Sequence, residues 1–228
     1  MIRFGVGVSP LSRQAGFAGN PFRALSDSEW TEVAILPPPL RAYLQSDDTG
    51  HLQLLGATGR GKSSALRATM REARRRGILT AFEYLPLGVE SLMTDIPDGC
   101  WFCLDEAQRL NPRERTRLIT TVEARKARIF LGSHEDLTPL FEFHRLPLST
   151  VTLDALDGVH FNAVLRNRLR YFAMPNGGHA TLSEDALLYL RDRFGSDLRQ
   201  TERFLYDVFQ RSVRSPVPIS ADLLRRES

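Results

Sequence analysis

Gly56-Ala57-Thr58-Gly59-Arg60-Gly61-Lys62-Ser63 is the stretch on which the fold turns. Its spacing, Gly-x-x-x-x-Gly-Lys-Ser, is the full P-loop pattern. Glycines let a backbone turn tightly and aim successive N–H groups at phosphate oxygens, and a helix that follows directs its positive end at the same anion. Lys62 is placed to reach the β- and γ-phosphates of a nucleotide, and the Ser63 hydroxyl to ligate Mg²⁺. Ala57, Thr58, Arg60 and Ser64 complete the wrapping segment. The flanks agree. His51 to Leu55 reads as a short apolar strand, and Lys62 to Arg76 favours helix, with Ala65, Leu66, Ala68, Met70 and Ala73 on its apolar side and Gly77 as a stop.

Working outward, Trp101-Phe102-Cys103-Leu104-Asp105-Glu106 is a strongly apolar strand ending in two carboxylates. An acidic residue at the end of a buried strand beside the P-loop strand can hold Mg²⁺ through its water, which assigns Asp105 to the metal. Glu106, at the tip, is placed to polarise an attacking water. Alone, the pair could equally open the next helix, where carboxylates are welcome. No Asn-Lys-x-Asp or Thr-Lys-x-Asp run occurs, which favours ATP over GTP, and no kinase-type His-Arg-Asp loop is present. Further strands are expected at Ile78–Leu85, Arg128–Gly132 and Leu148–Leu153. Helices are expected at Val89–Thr94, Pro112–Ala127 and Glu135–His144. This alternation predicts an α/β fold: a P-loop parallel sheet with flanking helices.

After residue 154 the pattern is helical only, with Phe161, Val164, Leu165, Leu169 and Phe172 on one face. Thr181-Leu182-Ser183-Glu184 has capping-box spacing, and a last short helix is expected over Ile219–Arg226. The expected organisation is a lead-in segment, 1–46, with residues 1 to about 20 poorly ordered, then a P-loop domain, 47–154, and a small all-α lid domain, 155–228. The 228 residues are 42% hydrophobic and 25% charged, ordinary for a soluble globular chain. No apolar run approaches the roughly 20 residues of a membrane span, and no leader-like segment opens the chain, so the cytoplasm is the default location. Cys100 and Cys103 lie three apart on a strand, on opposite faces, so they read as two half-buried thiols. The net charge is +3, carried almost wholly by arginine. Arg67, Arg71, Arg74, Arg75 and Arg76 form the most basic stretch. That is either a solvated helix end or a contact for a nucleic-acid backbone.

The order of these motifs resembles the AAA+ ATPases: the P-loop, Asp105-Glu106-Ala107-Gln108, Ile129-Phe130-Leu131-Gly132-Ser133-His134-Glu135-Asp136-Leu137, and a helical tail with Gly195-Ser196-Asp197-Leu198-Arg199. It is most similar to the branch holding transposon-regulator, ExeA-type and origin-recognition ATPases. The resemblance implies an ATPase using ATP and Mg²⁺, active as a homo-oligomer. It implies a water-orienting polar residue at Ser133, a γ-phosphate-reading arginine at Arg199 and an arginine offered to a neighbouring subunit at Arg145, with Arg128 and Arg125 as substitutes. It further implies conformational switching in DNA transactions such as transposition, or else a nucleotide-gated switch acting on a protein partner. The short N-terminal segment and the helical tail ending near residue 226 leave no winged-helix domain, which lowers the expectation of an origin-initiator role.

Overall fold

A computed structural model describes residues 10–46, 48–153, 157–175 and 178–228, with only the backbone for Pro10 and Leu11. In chain order its elements are α1 (Pro10–Gln14), α2 (Asp27–Val33), α3 (Pro38–Gln45), β1 (His51–Leu55), α4 (Lys62–Arg75), β2 (Thr80–Tyr84) and β3 (Trp101–Asp105). A 3₁₀ turn, Ala107–Arg109, leads to α5 (Pro112–Ala124), β4 (Arg128–Ser133), α6 (Thr138–Phe143) and β5 (Leu148–Thr152). The remainder is α7 (Gly158–Phe172), α8 (Glu184–Phe194), α9 (Leu198–Arg211) and α10 (Ala221–Arg226). The chain divides into two compact units, Asp27–Ala155 and Met1–Ser26 with Leu156–Ser228.

In the first unit the described strands form one sheet in the order β2-β3-β4-β1-β5, every pair parallel. Alternation along each strand splits the core. Leu52 and Leu54 of β1, Trp101 and Cys103 of β3 and Phe130 of β4 pack on the face that takes Ala65, Leu66, Met70 and Ala73 of α4. Phe102, Leu104, Ile129 and Leu131 pack on the other face with Leu118, Ile119 and Val122 of α5. Asn111 starts α5 by accepting the Glu114 N–H at 3.0 Å, ahead of Pro112 in the first helical turn. Cys100 and Cys103 are free and fully buried on opposite faces, more buried than expected, and desolvation raises both thiol pKa values.

Three expectations change. Asp105's strand does not lie beside the P-loop strand, because β4 is inserted between β1 and β3. No helix forms over 89–94; the Glu83 carboxylate accepts the Met93 and Thr94 N–H groups at 2.8 Å each and holds that stretch as a loop. The lead-in does not stand apart either. Residues 27–45 belong to the sheet unit and residues 10–26 to the helical unit, while the 154/155 boundary lies outside the described residues.

The helical unit packs α7, α8, α9 and α10 around Phe161, Leu165, Leu169, Leu187, Leu190, Leu205 and Phe209. Residues 10–20, expected to be loose, are part of this core. Ala15 and Phe17 expose no surface, Phe17 bridges Ala173, and its ring meets Phe209 edge-on at 5.6 Å. Arg168 fixes the same segment by donating to the Pro21 carbonyl at 2.6 Å and pairing with Glu202 at 2.8 Å. Residues 1–9 lie outside the described residues. Ser183, not Thr181, precedes α8, and its hydroxyl donates to the Ile219 carbonyl instead of capping the helix. Truncating Phe17 to alanine should lower the unfolding free energy by about 3–5 kcal/mol in denaturant titrations, as a fully packed phenylalanine does. An unchanged midpoint would mean the segment is not packed.

Candidate functional site

Turn geometry and strand order bring the carboxylates and the lysine together at the C-terminal ends of β1, β3 and β4. Gly59 and Gly61 have φ of 81° and 84°, and a Cβ on either would meet nothing within 4 Å, so the loop opens onto free space. Gly61 begins α4 with no side-chain cap, which leaves the first N–H groups of a 14-residue helix open to an anion. Gly56 is needed for packing: a Cβ there would lie 2.6 Å from the Leu153 carbonyl oxygen. Ser64 accepts a hydrogen bond from the Trp30 indole N–H at 3.1 Å, so its hydroxyl faces α2.

Lys62 is 5% exposed. Its ammonium donates to the carbonyls of Gly56 at 2.7 Å and Ala57 at 3.1 Å, folded back on the loop. Burial lowers its pKa, opposed by the charges of Glu106 and Asp105. Asp105 is 2% exposed; desolvation raises its pKa, partly offset by a hydrogen bond from Ser63 and the charge of Lys62. Gly132, in register opposite Asp105 on the inserted strand, makes room for this carboxylate: a Cβ there would stand 2.7 Å from Asp105 Oδ1. Glu106 adopts a left-handed backbone (φ 62°, ψ 39°), uncommon for a residue with a side chain. Its Oε2 accepts from Gln108 and pairs with Arg109, both at 2.9 Å, and its Oε1 lies 3.2 Å from His134 Nε2. His134 also lies 3.4 Å from the Lys62 ammonium.

The sequence reading did not assign roles to His134, Gln108 and Arg109. The position of His134 follows only once β4 is seen to lie next to β3, whereas Gln108 and Arg109 reach Glu106 from the 3₁₀ turn directly after it. Ser133, the expected water-orienting residue, is fully buried, and its hydroxyl donates to the Glu135 carbonyl at 2.6 Å and accepts the Glu135 N–H at 3.0 Å. The next side chain, His134, is the one that reaches Lys62 and Glu106.

No protein-family model and no curated protein matches the chain. Solved structures do. It is similar to NtrX from Brucella abortus in complex with ADP, with 15% identity over 86% of this chain and 56% of that one at a TM-score of 0.56. It is similar to a variant of Thermotoga maritima RuvB, with 16% identity over 82% of this chain and 63% of that one at a TM-score of 0.59. A second variant of the same RuvB matches over 92% of this chain and 72% of that one, with 15% identity and a TM-score of 0.59. The chain has the AAA+ P-loop NTPase fold. It spans 56% and 63% of the length of the first two AAA+ chains it matches.

Within this AAA+ fold the arginines part company. Arg145 is exposed, with φ 57°, just after α6, and Arg199 is exposed on the first turn of α9. Arg128 is taken up inside: it donates to the Gly50 and Asp48 carbonyls at 2.7 Å each and lies over the rings of Tyr43, Trp101 and Phe130. Arg125 pairs with Asp98 at 3.0 Å. In the basic stretch, Arg67 is sandwiched between Trp30 and Phe82, each 4.6 Å away, and pairs with Asp27 at 2.7 Å. Arg71 donates to the Thr31, Glu32 and Ala34 carbonyls at the end of α2. Arg76 donates to the Leu44 carbonyl and pairs with Glu72. These three fasten α2 and α3 to α4.

The buried Asp105 carries a stability cost. Its folded-state pKa is raised, so the folded chain holds that proton more tightly than the unfolded one, and stability falls as pH rises from 3.8 through the raised value. Replacing Asp105 with asparagine should raise the melting temperature of the nucleotide-free protein at neutral pH, with each kcal/mol regained worth about 2–4 °C at this size. An unchanged or lower melting temperature in calorimetry counts against a desolvated carboxylate.

Proposed function

We propose that this chain binds ATP with Mg²⁺ on Gly56–Ser64 and hydrolyses it, with Glu106 taking the proton of the attacking water. One observation carries the reading: a buried ammonium, a Ser63–Asp105 pair and a partly shielded Glu106 meet beside an uncapped helix start. The residues fit the metal. Ser63 and Asp105 offer hard oxygen donors, and among the described residues no cluster of three or more His, Cys, Asp or Glu forms an all-protein cage. Mg²⁺ suits such a partial shell, since it keeps waters and takes phosphate oxygens as ligands. When bound it would neutralise charge on the phosphates.

The chain's own part is electrostatic and positional. The loop N–H groups hold phosphate oxygens. Lys62 exchanges the Gly56 and Ala57 carbonyls for the β- and γ-oxygens, a better partner for a desolvated cation. Gln108 and Arg109 hold one oxygen of Glu106, and the other, 3.2 Å from His134 Nε2, is the one offered to the water. Arg145 and Arg199, both exposed, remain our candidates for reading the terminal phosphate, Arg145 from a neighbouring copy in a homo-oligomer. Ser133 would then act by shaping the turn that presents His134.

The output we propose is nucleotide-dependent switching. Of its two forms, action on a protein partner is favoured over action on DNA because Arg67 and Arg71 are engaged within the protein, leaving Arg74, Arg75 and Arg76 of the basic stretch exposed. Phosphate release measured with and without DNA separates the two: stimulation that weakens steeply with salt restores the DNA reading. Glu106→Gln should retain ATP binding while turnover drops at least ~100-fold, the usual worth of a general base. Lys62→Ala should lose nucleotide affinity. Wild-type turnover in the Gln variant would remove Glu106 from the chemistry.

A further inference from the structure

Trp30 reaches the candidate nucleotide loop from outside it. The residue lies on α2, and its indole N–H donates to the Ser64 hydroxyl oxygen at 3.1 Å. Ser64 stands in the first turn of α4, directly after Lys62 and Ser63. That turn has no side-chain cap, so its leading N–H groups, that of Ser64 among them, lack helical acceptors. Among the described residues the Ser64 hydroxyl has no other partner. The common outlet of such a hydroxyl, donation to the carbonyl one turn back, is not taken. Thr69, farther along the same helix, does take it, donating to the Ala65 carbonyl at 3.0 Å.

α2 is held in place for this contact. The Arg67 guanidinium lies 4.6 Å from the Trp30 ring, meets Phe82 at the same distance, and pairs with Asp27 at the start of α2. Arg71, one turn on, donates to the Thr31, Glu32 and Ala34 carbonyls. Two arginines of α4 thus fix α2 with the indole N–H directed at the Ser64 oxygen.

A serine hydroxyl has one proton to give and two lone pairs to offer. With one lone pair taken by the indole, the oxygen is fixed and its proton is left for an acceptor the described chain does not supply. The hydroxyl of a serine lies close to its own backbone N–H, so an anion oxygen bound to that N–H is also within reach of the hydroxyl proton. The indole bond polarises the hydroxyl and makes it a stronger donor.

We propose that Trp30 is a positioning residue of the nucleotide site: its indole N–H holds the Ser64 hydroxyl so that the N–H and O–H of one residue meet the same phosphate group. The proposal rests on the reading of Gly56–Ser64 as a nucleotide loop. The group recognised is a phosphate oxygen, common to ADP and ATP, and the same bond ties α2 to the occupancy of the loop.

The test is the Kd for ADP of wild type, Trp30→Phe, Ser64→Ala and the double variant, measured by calorimetry. Phenylalanine keeps a ring against Arg67 and loses the N–H. Trp30→Phe should weaken ADP binding by about threefold to tenfold, what one hydrogen bond is worth net. Ser64→Ala should weaken it at least as much. Adding Trp30→Phe to Ser64→Ala should change nothing further, because the indole acts only through that oxygen. In turnover, KM for ATP should rise in Trp30→Phe with kcat changed less than about twofold, as for lost uniform binding. Unchanged ADP affinity in Trp30→Phe overturns the proposal. So does an equal loss in the Ser64→Ala background, which is what a merely structural tryptophan gives. The chain has two tryptophans, so the wild type carries two indole ¹H–¹⁵N resonances, and ADP should move the one missing from Trp30→Phe. If ADP binds and neither moves, the proposal fails whatever the variants do. If Lys62→Ala binds ADP as wild type does, the nucleotide-site reading itself has failed. If Lys62→Ala loses affinity and Trp30→Phe does not, only the tryptophan assignment has.

Discussion

A cation taken almost out of water, Lys62, organises the ends of three parallel strands. Removing an ammonium from water is costly unless oxygen atoms replace its hydration. Here two loop carbonyls do so at close range, with two carboxylates nearby. Those carbonyls belong to the glycine-rich turn just ahead of the lysine, so the chain satisfies it with atoms of its own loop. Asp105 meets the opposite difficulty, a buried anion, with Ser63 as donor and Lys62 as counter-charge. Neither charge is well placed without the other, and both rely on β4 lying between their strands with a glycine where any side chain would collide.

That dependence explains what could be read in the sequence. The loop, its strand and its helix were legible because turn chemistry and helix dipoles are local. Asp105 and Glu106 stood out because an acidic pair ends an apolar run downstream of the P-loop, although alone it could equally have opened a helix. Strand order is not local. Nothing in Trp101–Glu106 says that β4 and not β1 lies alongside, and so the approach of His134 to Glu106 could not be seen. Ser133 was chosen from its place at the strand end. The structure uses its hydroxyl to pin the Glu135 main chain.

The arginines carry a related lesson about charge counts. Five in ten residues of α4 and its end look like a surface stripe. A guanidinium is also planar, weakly hydrated and able to stack, so it can serve as packing material between helices. Arg67, between an indole and a phenyl ring, does so, and Arg71 closes off the carbonyls at the end of α2. Basic composition therefore reports less about ligands here than the net charge invites.

Phe17 sits in a core whose other members lie mostly beyond residue 160. The helical unit is thus discontinuous along the chain, its first stretch of material made before the sheet unit and the rest after it. A ribosome would release the Ala15–Phe22 segment well over a hundred residues before α7 exists to receive it. The sheet unit can fold in the interval, closing its own contacts first, while the early segment waits. Cutting the gene at the visible change from mixed to purely helical sequence would yield a helical fragment lacking a phenylalanine from its centre.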